Sequence, residues 1–493
     1  MDALLRETTT GRVRGQRVQG SGGGRALAWL GVPYASPAVD ALRFAPPRPH
    51  PGWARVRDAS RYGPDVLQPL DPSVTLTASR EGSLLLNVWV PEENPDGRPL
   101  PVLFWMHGGA FRGGSARQYD GRDLALRGAV VVTVNSRLGP LGYANFGELF
   151  GDARFTPNAG FQDQVAALHW VAANAAAFGG DPARVTVAGE SAGAVAAALM
   201  LTHPRTRPLV AGAVLQSGAL NQVSGRDNSV DIARAYADAL GVRRDNLNDL
   251  WTLPPGAFLR ALHALERVRA RRLNSRPFLD GHWLPGSEAD LLAAPRADVP
   301  LLIGANREEY SPFVKLPDRI FPRTDRTYLA NVLDRQATPE QTLRVLAAYP
   351  DTQAGLVALG TDMFFHVPND RFVDAVRPGH ASGTWRYRFD WGTRLFGLGA
   401  AHGMELLFLW PRPMGSATRV MRGPDGAAVA ALAERMQRAW MTFVREGHPG
   451  PDWPTYTAAH PSVAFLGTDG RLPGDAGDAE RRHVWRDVRP FMP

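Results

Sequence analysis

Short apolar runs alternate with longer helical patterns along the first half of the chain. That alternation predicts strands crossing over through helices into a mostly parallel sheet, an α/β architecture. Residues 12–18, a glycine run at 20–24 and residues 26–33 predict an opening hairpin. Residues 84–90 read as a strand closed by Pro91, residues 101–106 as an apolar, buried strand, and residues 129–135 as a third. A helix is predicted over 160–178, where Val165, Leu168, Val171 and Ala172 recur at helical spacing. Gly179 and Gly180 end it, Asp181-Pro182 turns the chain, and residues 184–188 predict the next strand. Residues 192–201 follow as a helix and 214–217 as a strand. Beyond them the pattern changes. Residues 221–295 and 323–380 are expected to be helical insertions within a single domain spanning 1–493. Strands return at 300–304 and 385–389, and residues 427–446 predict a terminal helix.

Composition narrows the function. With 493 residues, 44% of them hydrophobic, the chain can bury a large core. No stretch approaches eighteen uninterrupted apolar residues, so no membrane span is expected. The absence of cysteine removes disulfides, thiolate metal sites and a cysteine nucleophile together. Residues 1–20 are too polar for the apolar region of a secretory signal, so the expected location is cytoplasmic, with secretion after signal removal as the alternative. The formal charge of +7 comes almost entirely from arginine, Lys315 being the only lysine. A nucleic-acid partner would need those arginines clustered with aromatics between them. They are instead scattered among carboxylates, as at Arg267, Arg269, Arg271 and Arg272 near Glu266, which reads as a solvated surface. The glycine run at 20–24 has no following Lys-Ser/Thr pair and reads as a flexible turn rather than a phosphate loop.

Chemistry first appears at Gly189-Glu190-Ser191-Ala192-Gly193, between the strand at 184–188 and the helix at 192–201. A serine nucleophile at such a place stands on a sharp strand-to-helix turn, where flanking glycines remove side chains that would clash. The helix that follows aims its first N–H groups at the charge formed during attack. The pentapeptide alone is weak; in this strand–turn–helix context it is strong. A second glycine-rich loop, His107-Gly108-Gly109-Ala110-Phe111, follows the buried strand at 101–106 and can supply main-chain donors to an oxyanion.

Through these motifs the chain resembles the type-B carboxylesterase family, which includes bacterial p-nitrobenzyl-esterase-like enzymes and the cholinesterases. The resemblance runs nearly end to end. It is carried by residues 31–35, by Arg43-Phe44 with Pro46-Pro47, and by Tyr62-Gly63-Pro64. It continues through residues 81–88, which are similar to an E-D-C-L-x-L-N-V signature, then residues 135–139, 158–164 and the elbow itself. It implies an α/β-hydrolase fold, serine esterase activity through an acyl-enzyme, and a Ser–Glu–His triad in that chain order.

The family's acid lies in a G-x-N-x-D-E-type loop, matched here by residues 304–309. The residues alone do not choose between Glu308 and Glu309; the resemblance implies Glu309. Its histidine lies in an H-x-x-E-L-x-F-like stretch, which implies His402, with His366 the rival because it too follows the acid. The resemblance also implies oxyanion donors at Gly109, Ala110 and Ala192, and buried ion pairs between Arg43 and Glu81 and between Arg137 and Asp163. Val66 and Ser83 stand where eukaryotic members carry cysteines, and the short segment 68–80 leaves no evident counterpart to the choline site. The expected reaction is hydrolysis of short- to medium-chain carboxylic esters. The expected partner is a small-molecule ester, without nucleic acid, membrane, metal or organic cofactor, and with the chain a monomer or weak homo-oligomer. Trp105, Phe111, Phe313, Leu406, Leu407 and Phe408, which neighbour these motifs, are candidates for a hydrophobic substrate pocket.

Overall fold

The computed structural model describes residues 2–69, 79–268, 274–317, 324–376, 382–410, 421, 426–457, 459–468 and 478–488. The arginines at 269, 271 and 272, most of the segment 68–80 and the edges of the second insertion lie outside these. The chain divides into two compact units: residues 1–212 with 224–297, and residues 213–223 with 298–493.

In the first unit, six strands lie side by side in the order β3 (Gln16–Gln19), β4 (Arg25–Pro33), β8 (Leu85–Pro91), β10 (Val130–Val134), β9 (Leu100–Met106) and β11 (Gly180–Glu190). β9 runs parallel to both β10 and β11, whereas β3, β4 and β8 join antiparallel. The parallel strands are the apolar runs of the sequence. β10 is buried at every position and β9 at all but its first, as strands covered on both faces require.

The expected opening hairpin forms only in part. Residues 16–19 pair with β4, but residues 11–14 form β2 (Gly11–Arg14), which pairs instead with β1 (Leu5–Thr8) and β5 (Arg57–Asp58) in a separate small sheet. Gly15 marks the break, since a Cβ there would collide with the carbonyl oxygen of Ala28. The helix expected over 160–178 runs as Ala159–Asn174, tightens to a 3-10 turn over Ala175–Phe178, and ends on left-handed Gly179.

Residues 221–295 carry the helices Arg226–Leu240, Asp249–Thr252, Pro255–Val268 and Glu288–Ala293. The spacing of Phe258, Ala261, Leu262 and Leu265 puts them on one face of the third. There they pack with Phe44, Phe146, Phe155 and Tyr236 in an aromatic-rich core.

The second unit holds β12 (Gly212–Gln216, all but its first residue), β13 (Leu301–Asn306), β14 (Thr384–Phe389) and β15 (Ala464–Leu466). They run in that order and all parallel. Helices Arg326–Leu333, Pro339–Ala347, Gln353–Thr361 and Val367–Val376 fill the second insertion, and Gly426–Glu446 is the long late helix. Leu329, Leu333, Val345, Leu359 and Phe364 bury their side chains together in this unit's core.

Candidate active site

In the first unit, β9 and β11 are parallel neighbours with Met106 opposite Gly189. Their C-terminal ends therefore release the glycine loop and the Ser191 turn side by side. Ser191 has φ 53° and ψ −120°, and the helix Ala192–Thr202 starts directly after it. Such a backbone costs a non-glycine residue about 1–3 kcal/mol and persists only where its surroundings enforce it. The enforcement is visible. A Cβ on Gly193 would collide with the carbonyl oxygen of Met106, and one on Gly189 with the backbone of Gly193. The first N–H groups of the helix, Ala192 among them, have no partner within the helix, which suits them to an anion.

The glycine loop is equally constrained. Gly109, Ala110 and Phe111 take φ values of 114°, 54° and 56° in succession, a tight turn of the kind whose N–H groups can line an anion-binding concavity. A Cβ on Gly108 would strike the Glu190 carboxylate and lie 3.2 Å from the Cβ of Ser191, so the loop packs directly on the elbow. Within it, buried His107 is held neutral, since burial pushes its pKa down, and its Nδ1 lies 2.8 Å from the Gly108 carbonyl. Phe111 accepts the N–H of Gly139 at 2.8 Å and packs its ring on Tyr143.

Both implied ion pairs are present. Arg43 makes a two-point contact with Glu81 at 2.5 and 2.9 Å, and Arg137 grips Asp163 at 2.8 and 2.7 Å. Arg137 also donates to the carbonyls of Arg43 and Ala45, which ties the two pairs into one buried scaffold. Planar, two-point pairs of this kind fix orientation as well as charge.

In the second unit, the ends of β13 and β14 bring a carboxylate and an imidazole together. Glu309 is 0% exposed; its Oε1 accepts the Asn306 N–H at 2.6 Å and the Ser217 hydroxyl at 2.5 Å. Its Oε2 lies 2.6 Å from His402 Nδ1. Glu308 is 28% exposed, pairs with Arg307 and accepts the Ala400 N–H. The two adjacent glutamates therefore have different occupations, and it is Glu309 that meets the histidine. His366 is engaged elsewhere, with Nε2 2.9 Å from the Asn306 carbonyl and Nδ1 3.1 Å from Asp362.

Over His402 lies the ring of Phe365, 4.9 Å between centroids. Phe365 sits in one π-helical turn, Asp362–His366, closed by the Val367 N–H bonding back to Asp362. Pro368 has no N–H to give to Phe364, whose carbonyl instead accepts from Asn221 at 3.1 Å. π-Turns recur at functional sites, and the placement of this one beside an imidazole fits that pattern.

The six pocket candidates have varied surroundings. Trp105 is buried within β9 against Tyr119, and Phe408 packs edge-on to Phe389 and Trp391. Leu407 is buried, Phe313 stacks on Tyr310 while partly exposed, and Leu406 is also partly exposed. Among the described residues no group of three or more His, Asp and Glu side chains is placed to hold a metal ion.

The family model described as the carboxylesterase family matches residues 2–483. The chain belongs to the carboxylesterase family. It is 32% identical over 497 residues to a para-nitrobenzyl esterase of Bacillus subtilis (strain 168), covering 97% of this chain and 98% of that one. It is 30% identical over 511 residues to a cocaine esterase of Homo sapiens, covering 92% and 86%. A solved PNB esterase superposes with a TM-score of 0.87 at 31% identity, covering 98% of this chain and 99% of that chain. A Geobacillus stearothermophilus carboxylesterase gives 0.84 at 31% identity, covering 98% and 100%. The fold is thus that of the α/β hydrolases, and the protein is a carboxylic-ester hydrolase of a family that works through a serine acyl-enzyme. No helix among the described residues is long and apolar enough to cross a membrane.

Three members of this esterase's interior escaped the sequence reading. Ser217 holds Glu309, Asn306 donates to both Glu309 and Glu405, and Glu405 is a second buried carboxylate, bonded to Asn306 at 2.6 Å and Gln216 at 3.2 Å. Burial, then the neighbouring Glu309 charge, pushes the Glu405 pKa up to about 7. A signal existed for two of them: Asn306 and Glu405 are letters of the same short motifs that supply Glu309 and His402.

Proposed function

We propose that Ser191, His402 and Glu309 form the catalytic triad, with the N–H groups of Gly109, Ala110 and Ala192 as the oxyanion hole. Ser191 attacks the ester carbonyl while His402 takes its proton. With Nδ1 turned to Glu309, the proton-accepting role falls to Nε2, and the carboxylate keeps the ring in that tautomer. The tetrahedral oxyanion is stabilised by the backbone donors, the alcohol leaves with the proton, and water repeats the sequence to release the acid. The observation that carries the reading is the enforced, strained backbone of Ser191 at the mouth of a helix, beside the glycine loop. It is tested by treating the protein with an organophosphate and mapping the adduct by peptide mass spectrometry. Modification should fall on Ser191 alone, and labelling at another residue with Ser191 untouched sinks the assignment.

As substrates we propose water-soluble esters with short to medium acyl chains and an aryl or alkyl alcohol. Support comes from relatives named for para-nitrobenzyl esters and cocaine, and from the bulky residues Trp105, Phe111, Phe313, Leu406, Leu407 and Phe408 that flank the motifs. We further propose a monomer or weak homo-oligomer acting in the cytoplasm, on the cysteine-free composition.

A further inference from the structure

Gln68, beside the strand pair Asp65–Val66 and Ser79–Arg80, is buried. Its side-chain amide grips Gly114, three residues beyond the glycine loop. Oε1 accepts the N–H of Gly114 at 2.8 Å, and Nε2 donates to the carbonyl of the same residue at 2.8 Å, with a weaker bond to the Val66 carbonyl at 3.2 Å. A primary amide offers a donor and an acceptor side by side, which matches the N–H and C=O of one residue. The backbone it grips is closely fitted. Gly114 has φ 113°, and a Cβ there would collide with the Gly108 carbonyl oxygen and the His107 ring. One turn earlier, a Cβ on Gly109 would collide with the carbonyl oxygen of Gly113. Residues 113–114 are therefore the wall against which 107–109 rest, and Gln68 fixes that wall.

Gln68 is itself anchored. Its N–H donates to the Ser79 hydroxyl at 3.3 Å, and that hydroxyl donates back to the Gln68 carbonyl at 3.2 Å. The strands β6 (Asp65–Val66) and β7 (Ser79–Arg80) pair in parallel, and the hydroxyl of Ser115, the residue after Gly114, bonds Asp65. A chain without cysteines thus closes this region with polar contacts.

We propose that Gln68 is a positioning residue for transition-state stabilisation: by clamping Gly114 it holds the Gly109 and Ala110 N–H groups at the place where the oxyanion forms. This rests on the oxyanion role assigned to that loop under the proposed function. Misplacing donors by a fraction of an ångström weakens the transition state, while ground-state binding is little changed.

The test uses Gln68→Met, which keeps length and loses both bonds, and Gln68→Glu, which keeps the acceptor for the Gly114 N–H. Gly109→Ala disturbs the donor loop directly and serves as the reference. For each, kcat and KM on a p-nitrophenyl ester are measured beside the Ki of a trifluoromethyl ketone, which mimics the tetrahedral state. Circular dichroism and melting check the fold. Gln68→Met should lower kcat by roughly 10- to 100-fold, with KM within about threefold, and weaken the ketone by the same factor as kcat/KM. Gln68→Glu should lose less. If Gln68→Met does not fold, wild-type kcat in Gln68→Glu overturns the proposal. So does a loss confined to KM, or unchanged ketone affinity in either folded variant. Wild-type kcat in the Gln68 variants with a loss in Gly109→Ala removes Gln68 and leaves the oxyanion loop standing. Wild-type kcat in all three overturns both.

Discussion

Glu309 and Glu405, both buried, are held by a single residue. Asn306 donates its backbone N–H to Glu309 Oε1 and its side-chain Nδ2 to Glu405 Oε2, each at 2.6 Å. Burial, and then the nearby Glu309 charge, raises the Glu405 pKa from 4.5 to about 7. A raised carboxyl pKa means that the folded state holds its proton where the unfolded chain has released it. Its contribution is present in full below about pH 4.5 and is lost as pH rises through about 7. Glu405→Gln should therefore flatten the fall in stability between those values. Chemical denaturation at a series of pH values checks this, and parallel curves for the two proteins contradict it.

Ser191→Ala should abolish ester hydrolysis while the fold survives, because methyl replaces hydroxyl at a site whose geometry is set by neighbouring backbone. Residual turnover above about a thousandth of wild type in a folded protein, beyond what binding and the oxyanion donors alone supply, argues for another nucleophile.

His402→Ala should depress kcat more than Glu309→Gln, since the imidazole moves the proton and the carboxylate orients it. Glu308→Gln should matter far less than Glu309→Gln, given that Glu308 contacts Arg307 and Ala400 rather than the ring. If Glu308→Gln proves the more damaging of the two, the hydrogen bond to His402 is not the one that counts.

How much of this could be read from the chain depends on how local the cause was. β9, β10 and β11 were legible because strands covered on both faces are continuous apolar runs. The elbow was legible because its glycines adjoin the serine. β1 and β15 were not, being three or four residues long with too few positions to show a period. The support of Glu309 was least visible. Ser217 and Glu309 are 92 residues apart, and Asn306 and Glu405 are 99, so no spacing rule connects them. Gly15 and Pro368 stood in plain sight, yet their effects, a strand break and a π-turn, depend on what lies opposite.

Phe365 offers a test of that turn. Its ring lies 4.9 Å from His402 and is buried, so Phe365→Leu should keep most of the apolar packing while removing the flat surface beside the imidazole. A loss in kcat of severalfold, about 1 kcal/mol of ring contact, is expected with KM little changed. Steady-state kinetics on a soluble ester decides it. Unchanged kcat in a folded variant would make the contact mere packing.

The broadest prediction concerns substrate size. Under the proposed function, an acyl site lined by bulky apolar side chains gains from each methylene that fits, up to about 0.8 kcal/mol, or roughly fourfold in kcat/KM. The gain must stop where the chain meets the wall, since a close-packed interior yields to extra volume only at a cost of about 1–3 kcal/mol. Across p-nitrophenyl esters from acetate to palmitate, kcat/KM should therefore rise, pass a maximum at short or medium length, and fall. Emulsified triolein should be a poor substrate. Choline esters should gain nothing over neutral esters of the same size, as the resemblance leads one to expect from the short segment 68–80. A rate that climbs steadily to palmitate and jumps when the ester forms an oil phase would mark an enzyme open to lipid surfaces, and the narrow acyl site would be wrong.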